Sequence, residues 1–162
     1  MSGPMSLNEV HALAALGYYL FPVKEGQKKP PLITRFYERA TRNPAQLTAW
    51  FNQFPGCNWA ISTDRFDQDG VTYGLLVVDV DVDVEAGKDG FQTVLQHELE
   101  GRAFPPTRTH STPRGGRQYI YTVPEAVPQG AHTLGPNVDT RSFHGYIMAP
   151  GSRTEKGVYD VV

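Results

Sequence analysis

The strongest chemical signal in this chain is a pair of aspartates, Asp79 and Asp81, closing the apolar run Leu75-Leu76-Val77-Val78. In a β-strand, residues i and i+2 point the same way and stand about 7 Å apart along the backbone. Both carboxylates are thus expected on one face, with Val78 and Val80 on the other. Two carboxylates held about 4 Å apart repel by roughly 4 kcal/mol at an effective dielectric near 20. Such a pair favours a positive occupant, and oxygen ligands suit Mg²⁺ or Mn²⁺. The plainer alternative is a strand running into a solvated acidic loop, since Asp83 and Glu85 follow. The DxD pattern alone leaves both open.

Three later segments add to it. Thr112-Pro113-Arg114-Gly115-Gly116-Arg117-Gln118 sets two glycines between two arginines. Glycines allow close backbone approach to an anion, turn amides can form a phosphate-binding nest, and guanidiniums present forked donors to phosphate oxygens. Taken alone, the same residues also make an ordinary hairpin turn. Asn137-Val138-Asp139-Thr140-Arg141 places a third acid on an expected strand. If Asp139 reaches the Asp79/Asp81 pair, the three could hold two divalent ions about 3.5–4 Å apart; by itself it is a cap or turn residue. Gly145-Tyr146-Ile147-Met148-Ala149-Pro150-Gly151-Ser152 is a strand ending in a tight turn.

The elements that must position these groups are readable by pattern. Ser6-Leu7-Asn8-Glu9 is a capping box, followed by Val10, Leu13, Ala14 and Leu16 at helical spacing and stopped by Gly17. Residues 18–23 read as a strand and 25–31 as a loop rich in Lys and Pro. Asn43-Pro44 opens a second helix through Leu47, Trp50 and Phe51, which Pro55-Gly56 ends. Residues 58–62 read as a strand, followed by an acidic turn around 67–70. A third helix over 89–100 is expected to turn Phe91, Val94, Leu95 and Leu99 inward. Beyond it the texture is β: 107–111, 118–123, 138–141, 145–148 and 158–161. The sum is α+β, an α/β beginning leading into a largely antiparallel sheet.

Composition bounds the rest. A chain of 162 residues with 40% hydrophobic and 11% aromatic content makes one domain, or two small modules around one cleft. One cysteine, Cys57, excludes an internal disulfide, and the five histidines form no HxH or HExxH cluster. No apolar run reaches membrane-spanning length and no secretory leader is evident, so a cytosolic protein is expected. Net charge is only −2, but its distribution is uneven. Acids dominate residues 64–100, where only Arg65 and Lys88 oppose them; residues 101–124 carry no acid but four arginines. A second basic stretch holds Lys28, Lys29, Arg35, Arg39 and Arg42. An acidic locus facing basic segments suits a metal site that meets phosphates.

Taken in order, these pieces resemble the bifunctional DNA primase/polymerase N-terminal domain (Prim-Pol) of the archaeo-eukaryotic primase superfamily. That family shows an apolar run ending in DxD, a Gly-Gly-x-His-apolar-aromatic motif, then an acidic strand followed by Arg and a Gly-Tyr-apolar-apolar-Ala-Pro segment. Here they stand at 75–81, 115–121 and 138–152, and the Lys28-Lys29-Pro30 loop, the Trp50 helix and the Asn58-Trp59-Ala60-Ile61 strand fit the family's opening. The resemblance implies a single catalytic domain over 1–162: an N-terminal α/β module plus an RRM-like antiparallel module, with the active site between. It implies DNA-directed nucleotidyl transfer in plasmid or phage replication, in bacterial or phage-infected host cytosol. Asp79, Asp81 and Asp139 would be the catalytic metal ligands for two Mg²⁺ or Mn²⁺ ions. Arg114, Gly115, Gly116, Arg117, Gln118 and Arg141 would bind the nucleoside triphosphate; Lys28 and Lys29 would meet template DNA or the triphosphate tail. A helical priming domain and a helicase are expected further along a longer chain.

One position departs from the family. Its second motif carries histidine where this chain has Gln118, which donates a hydrogen bond but holds no charge. A catalytically weak or silent nucleotide- or nucleic-acid-binding module is the alternative this leaves. A DxD nucleotide-sugar glycosyltransferase would not account for the Gly-Gly-Arg-Gln turn or the Asp139–Arg141 strand.

Overall fold

The computed structural model describes residues 3–162. Helix α1 (Leu7–Leu16) starts where the Ser6 hydroxyl accepts the Glu9 amide at 3.1 Å and the Glu9 carboxylate accepts the Ser6 amide at 3.2 Å. Gly17 ends it with φ +116°, and a Cβ there would stand 2.0 Å from the Asp67 carbonyl oxygen. Only glycine fits. Strand β1 (Tyr18–Val23) follows at once, then a short α2 (Phe36–Arg39). The Asn43 side chain accepts the amides of Ala45 and Gln46 to open α3 (Pro44–Gln53).

Strand β2 (Asn58–Gln68) runs well past the expected 58–62. It turns into β3 (Val71–Val80) through Asp69-Gly70 alone, with φ +52° and +78° and Gln68 paired to Val71. That is the two-residue Asp-Gly hairpin, whose backbone twist matches its strands. One small ladder, β4 (Val82–Asp83) with β5 (Lys88–Asp89), precedes α4 (Phe91–Leu99). The remaining strands are β6 (Arg108–Ser111), β7 (Arg117–Val123), β8 (Val138–Arg141), β9 (Tyr146–Met148), β10 (Arg153–Thr154), β11 (Gly157–Val158) and β12 (Asp160–Val161). The expected strand over 158–161 is split: β11 pairs with β10, and β12 with β6.

Eight strands form one antiparallel sheet, ordered β1-β2-β3-β7-β6-β12, with β8 also on β3 and β9 also on β2. The sheet forks. β2 and β3 pair only near their hairpin; beyond it β2 pairs with β1 and β9, while β3 pairs with β7 and β8. The α+β expectation holds, with the N-terminal strands joining the same antiparallel sheet rather than forming a separate unit. The larger core packs Val10, Leu13, Leu47 and Trp50 of the helices on Phe21, Trp59, Ile61, Leu75 and Val77. A smaller core on the other face of β3 gathers Val78, Val80 and Val138 under Phe91, Val94 and Phe104.

Helix α4 corrects the expected inner stripe. Leu95 and Leu99 are exposed, whereas Thr93 is buried. The Thr93 hydroxyl donates to the Pro136 carbonyl at 2.7 Å, and His97 Nε2 lies 2.7 Å from the Leu134 carbonyl. The segment covering this helix brings bare carbonyls, so Thr93 and His97 share the inner face with Phe91 and Val94 in place of the two leucines. Among the described residues no helix is long and apolar enough to cross a membrane.

Candidate active site

The ladder register aligns the acids. Asp79 on β3 is opposite Asp139 on β8 and, on its other side, opposite Gln118 on β7. Directly opposed antiparallel residues share a face, with Cβ atoms about 5 Å apart. Arg141, two residues along β8 from Asp139, lies on that face too: its Nε is 3.7 Å from Asp79 Oδ2 and its Nη2 3.8 Å from Asp139 Oδ2. These separations exceed hydrogen-bond length, so one cation is shared between two anions without bonding either closely. Asp139 Oδ1 also accepts the His132 amide at 2.8 Å. Asp81 stands just past the strand end, its backbone pinned by its amide to the Asn137 carbonyl (2.9 Å) and by its carbonyl to the Gly90 amide (2.8 Å). Burial pushes the Asp79 carboxyl above its ordinary range; Asp139 and Asp81 push it further, while Arg141 and Lys28 pull the other way.

Two cavities of about 340 Å³ each meet at Asp79. The first is lined by Asp79 and Asp81 together with Lys28, Thr112, Arg114 and Lys156. The second holds Lys28, Lys29, Arg141 and His144. Asp79, Gln118, Lys28 and Tyr159 line both, so the two form one groove with the aspartate at its waist. Burial, with Asp79 nearby, pushes the Tyr159 phenol up to about 12, keeping it a neutral donor.

Residues 10–162 match the family model for the bifunctional DNA primase/polymerase, N-terminal (Prim-Pol). The chain belongs to the Prim-Pol family. Among curated proteins compared with it, none matches. Prim-Pol membership supports a nucleotidyltransferase type of function, with DNA and nucleoside triphosphates as its ligands and divalent metal as the customary helper.

Within this Prim-Pol chain, the expected phosphate cradle is brought together only in part. Arg114 and Gln118 line the first cavity, Arg114 being tethered at 2.7 Å to Asp83. Gly115 takes φ +89° for the turn and donates its amide to the Thr112 carbonyl. Gly116 is required for packing, since a Cβ would lie 2.4 Å from the Val80 carbonyl oxygen. Arg117 lines neither cavity: the strand begins at Arg117, so it alternates to the face opposite Gln118, opposing Val80. Lys156, from the β10–β11 hairpin, and Tyr159 were not foreseen. Lys156 gave one signal, its place in the polar turn Thr154-Glu155-Lys156-Gly157.

Gln118 is buried, and among the described residues its Oε1 has no hydrogen-bond partner. Opposite it on β6 stands fully buried His110. His110 Nε2 accepts from Arg108 Nε at 2.8 Å, which puts the ring proton on Nδ1, also unpartnered among the described residues. Burial and Arg108 pull the His110 pKa down to about 4, so the ring is neutral at neutral pH. An unpaired donor and an unpaired acceptor thus sit on directly opposed residues of adjacent strands.

Among the described residues no three His, Cys, Asp or Glu side chains converge as a ready metal cage. Arg141 stands between Asp79 and Asp139, and Asp81 is exposed. The donor chemistry nevertheless fits a hard divalent ion: carboxylate oxygens and an acid already strained by its neighbours' charge.

Proposed function

We propose that this Prim-Pol domain is the catalytic core of a DNA primase/DNA polymerase, performing template-directed nucleotidyl transfer from nucleoside triphosphates. The observation that supports this most is the register pairing of Asp79 with Asp139 at the waist of a groove lined by basic side chains. In this reading Asp79, Asp81 and Asp139 would hold two Mg²⁺ or Mn²⁺ ions, whose charge would supply acidification of the 3′-hydroxyl and compensation of the triphosphate. Arg114, Lys28 and Lys156 line the cavity beside Asp81 and hold the triphosphate there. Gln118 donates its amide to a phosphate oxygen, and Arg141 moves from the carboxylates to a phosphate. The protein's work is placement and charge neutralisation. The half-sheet around β3, β6, β7 and β8 with α4 serves as the RRM-like module, and residues 1–162 as one catalytic domain. In a longer replication protein of a plasmid or phage, working in the bacterial cytosol, a helical priming domain and helicase would complete initiation.

A second reading, ligand binding without turnover, draws on the missing charge at Gln118. Incorporation of radiolabelled nucleotide on a primed template with Mn²⁺ separates the two. The polymerase reading expects extension by the wild type and none by Asp79→Ala with its circular dichroism unchanged. Normal extension by Asp79→Ala overturns the assigned role, and no extension by the wild type favours the silent module.

A further inference from the structure

The turn from β8 to β9 carries the chain from one arm of the forked sheet to the other, and at its tip are Phe143 and His144. The Phe143 ring stacks on the His144 imidazole, centroids 3.9 Å apart at 16°, and His144 stacks on Tyr37 at 4.2 Å and 17°. Three near-parallel rings therefore form a column, and Phe143 is 53% exposed. Folding gains little by leaving a phenyl ring in water, yet the backbone beneath it is tightly fixed. The Phe143 amide donates to the Val127 carbonyl at 2.9 Å and the His144 amide to Asp64 Oδ1 at 2.8 Å. Ser142, fully buried, donates its hydroxyl to the Leu75 carbonyl at 2.6 Å and its amide to Gln129 Oε1 at 2.9 Å. His144 holds φ +56°, a left-handed conformation that a non-glycine residue keeps only when its surroundings fix it. The rings are held in place before any ligand arrives.

Charge says what ligand that is. His144 lines the same cavity as Lys28, Lys29 and Arg141, and that cavity reaches Asp79. A rigid aromatic face beside cations suits unpaired nucleobases on a phosphate backbone, because every base has a stackable π-face and every linkage a negative charge. We propose that the Phe143–His144–Tyr37 column is a platform for single-stranded DNA, on which an unpaired base stacks over Phe143 while Lys29, which lines this cavity and not the other, meets a flanking phosphate. Its identification as the template strand rests on the polymerase reading; the stacking does not. The triphosphate belongs in the other cavity, beside Asp81 and Arg114.

The test is a titration of 2-aminopurine-labelled single-stranded DNA with the 162-residue protein, without metal or nucleotide. Phe143→Ala should weaken binding about tenfold and remove the 2-aminopurine quenching, while Phe143→Tyr keeps both. The logarithmic salt dependence should keep its slope in Phe143→Ala and lose about one unit in Lys29→Ala, since only the lysine releases a counterion. Because Phe143 is exposed, a thermal melt of Phe143→Ala matching the wild type certifies the fold. Unchanged DNA affinity and quenching in Phe143→Ala overturn the platform. So does unchanged DNA affinity with a raised nucleotide KM, which gives the ring to the incoming nucleotide. Extension by Asp79→Ala would sink the polymerase reading without touching this titration.

Discussion

Replacing Asp79 by asparagine should stabilise the metal-free protein while abolishing nucleotide transfer. The Asp79 side chain is only 20% exposed. Opposite Asp139, with charges about 5 Å apart, it meets a repulsion of about 3 kcal/mol at an effective dielectric near 20. Asp81, about 7 Å along the strand, adds about 2 kcal/mol on the same scale. Arg141, 3.7 Å away, returns about 4 kcal/mol. With Lys28 on the side of Arg141 the charges nearly cancel, and desolvation, the largest cause, leaves a net cost of about 1 kcal/mol on the ionised Asp79. Asparagine removes that burden, and Arg141 keeps Asp139 as its partner. The melting temperature should rise by about 2–4 °C. Because the folded carboxyl titrates above its unfolded value, the burden is full above that raised pKa and fades as pH falls from there to the unfolded value. Acidification through that window protonates the wild type, so the gap between variant and wild type should close at low pH. Divalent metal should reverse the ranking. Mn²⁺ at about a hundred times its Kd stabilises its binder by about 2.7 kcal/mol, a gain the variant forfeits. Differential scanning fluorimetry at neutral and acid pH, with and without Mn²⁺, reads all of this. A variant less stable than wild type at neutral pH without metal would show that ionised Asp79 carries no such burden, and Mn²⁺ raising both equally would show that Asp79 holds no metal.

Gln118→His should lower the nucleotide KM about fivefold, because a charge-assisted bond to phosphate replaces a neutral one; an unchanged KM in primer extension would remove residue 118 from the phosphate site. Gly17→Ala should lower the melting temperature by at least about 4 °C, since its Cβ would stand 2.0 Å from the Asp67 carbonyl oxygen at a positive φ; an unshifted melt would contradict that backbone geometry. Asp67→Asn should destabilise the protein at neutral pH but progressively less in acid. Burial raises the Asp67 pKa, but hydrogen bonds from Thr72 (2.8 Å), Arg42 (2.7 Å) and Tyr19 (2.8 Å) outweigh it and leave it lowered. The stability it supplies is present above its unfolded pKa and lost as pH falls through the folded one. Urea unfolding across pH measures it, and a pH-independent deficit would show that the charge is not the cause.

Local signals were legible in the sequence. Ser6 and Glu9, Gly17, and Asn43-Pro44 mark helix ends through bonds made within three residues, so their meaning does not wait on the rest of the fold. The second half of β2 was not legible, because its charges are satisfied far away. Arg65 lies over the Tyr19 ring at 4.5 Å, and Asp67 is held by Arg42 and Tyr19. Leu95 and Leu99 suggested an inner stripe for α4, but Thr93 and His97 answer to carbonyls some forty residues on. At the site, strand alternation was enough to put Asp79 and Asp81 on one cavity. The same alternation would have removed Arg117, had β7 been started at Arg117 rather than one residue later. Asp139 came from family likeness, since register between distant strands is not written in either strand alone. Lys156 and Tyr159 depend on the β10–β11 and β6–β12 pairings, which join segments with no distinctive pattern.

Three carboxylates, from β3, its end and β8, are proposed to act together on divalent ions. Mn²⁺ titration followed by electron paramagnetic resonance, with a non-hydrolysable nucleoside triphosphate present, tests this most directly. The wild type should bind two ions per chain, and Asp139→Asn, its fold intact by thermal melt, at most one and more weakly. Identical stoichiometry and affinity in the two proteins would mean that Asp139 is no metal ligand.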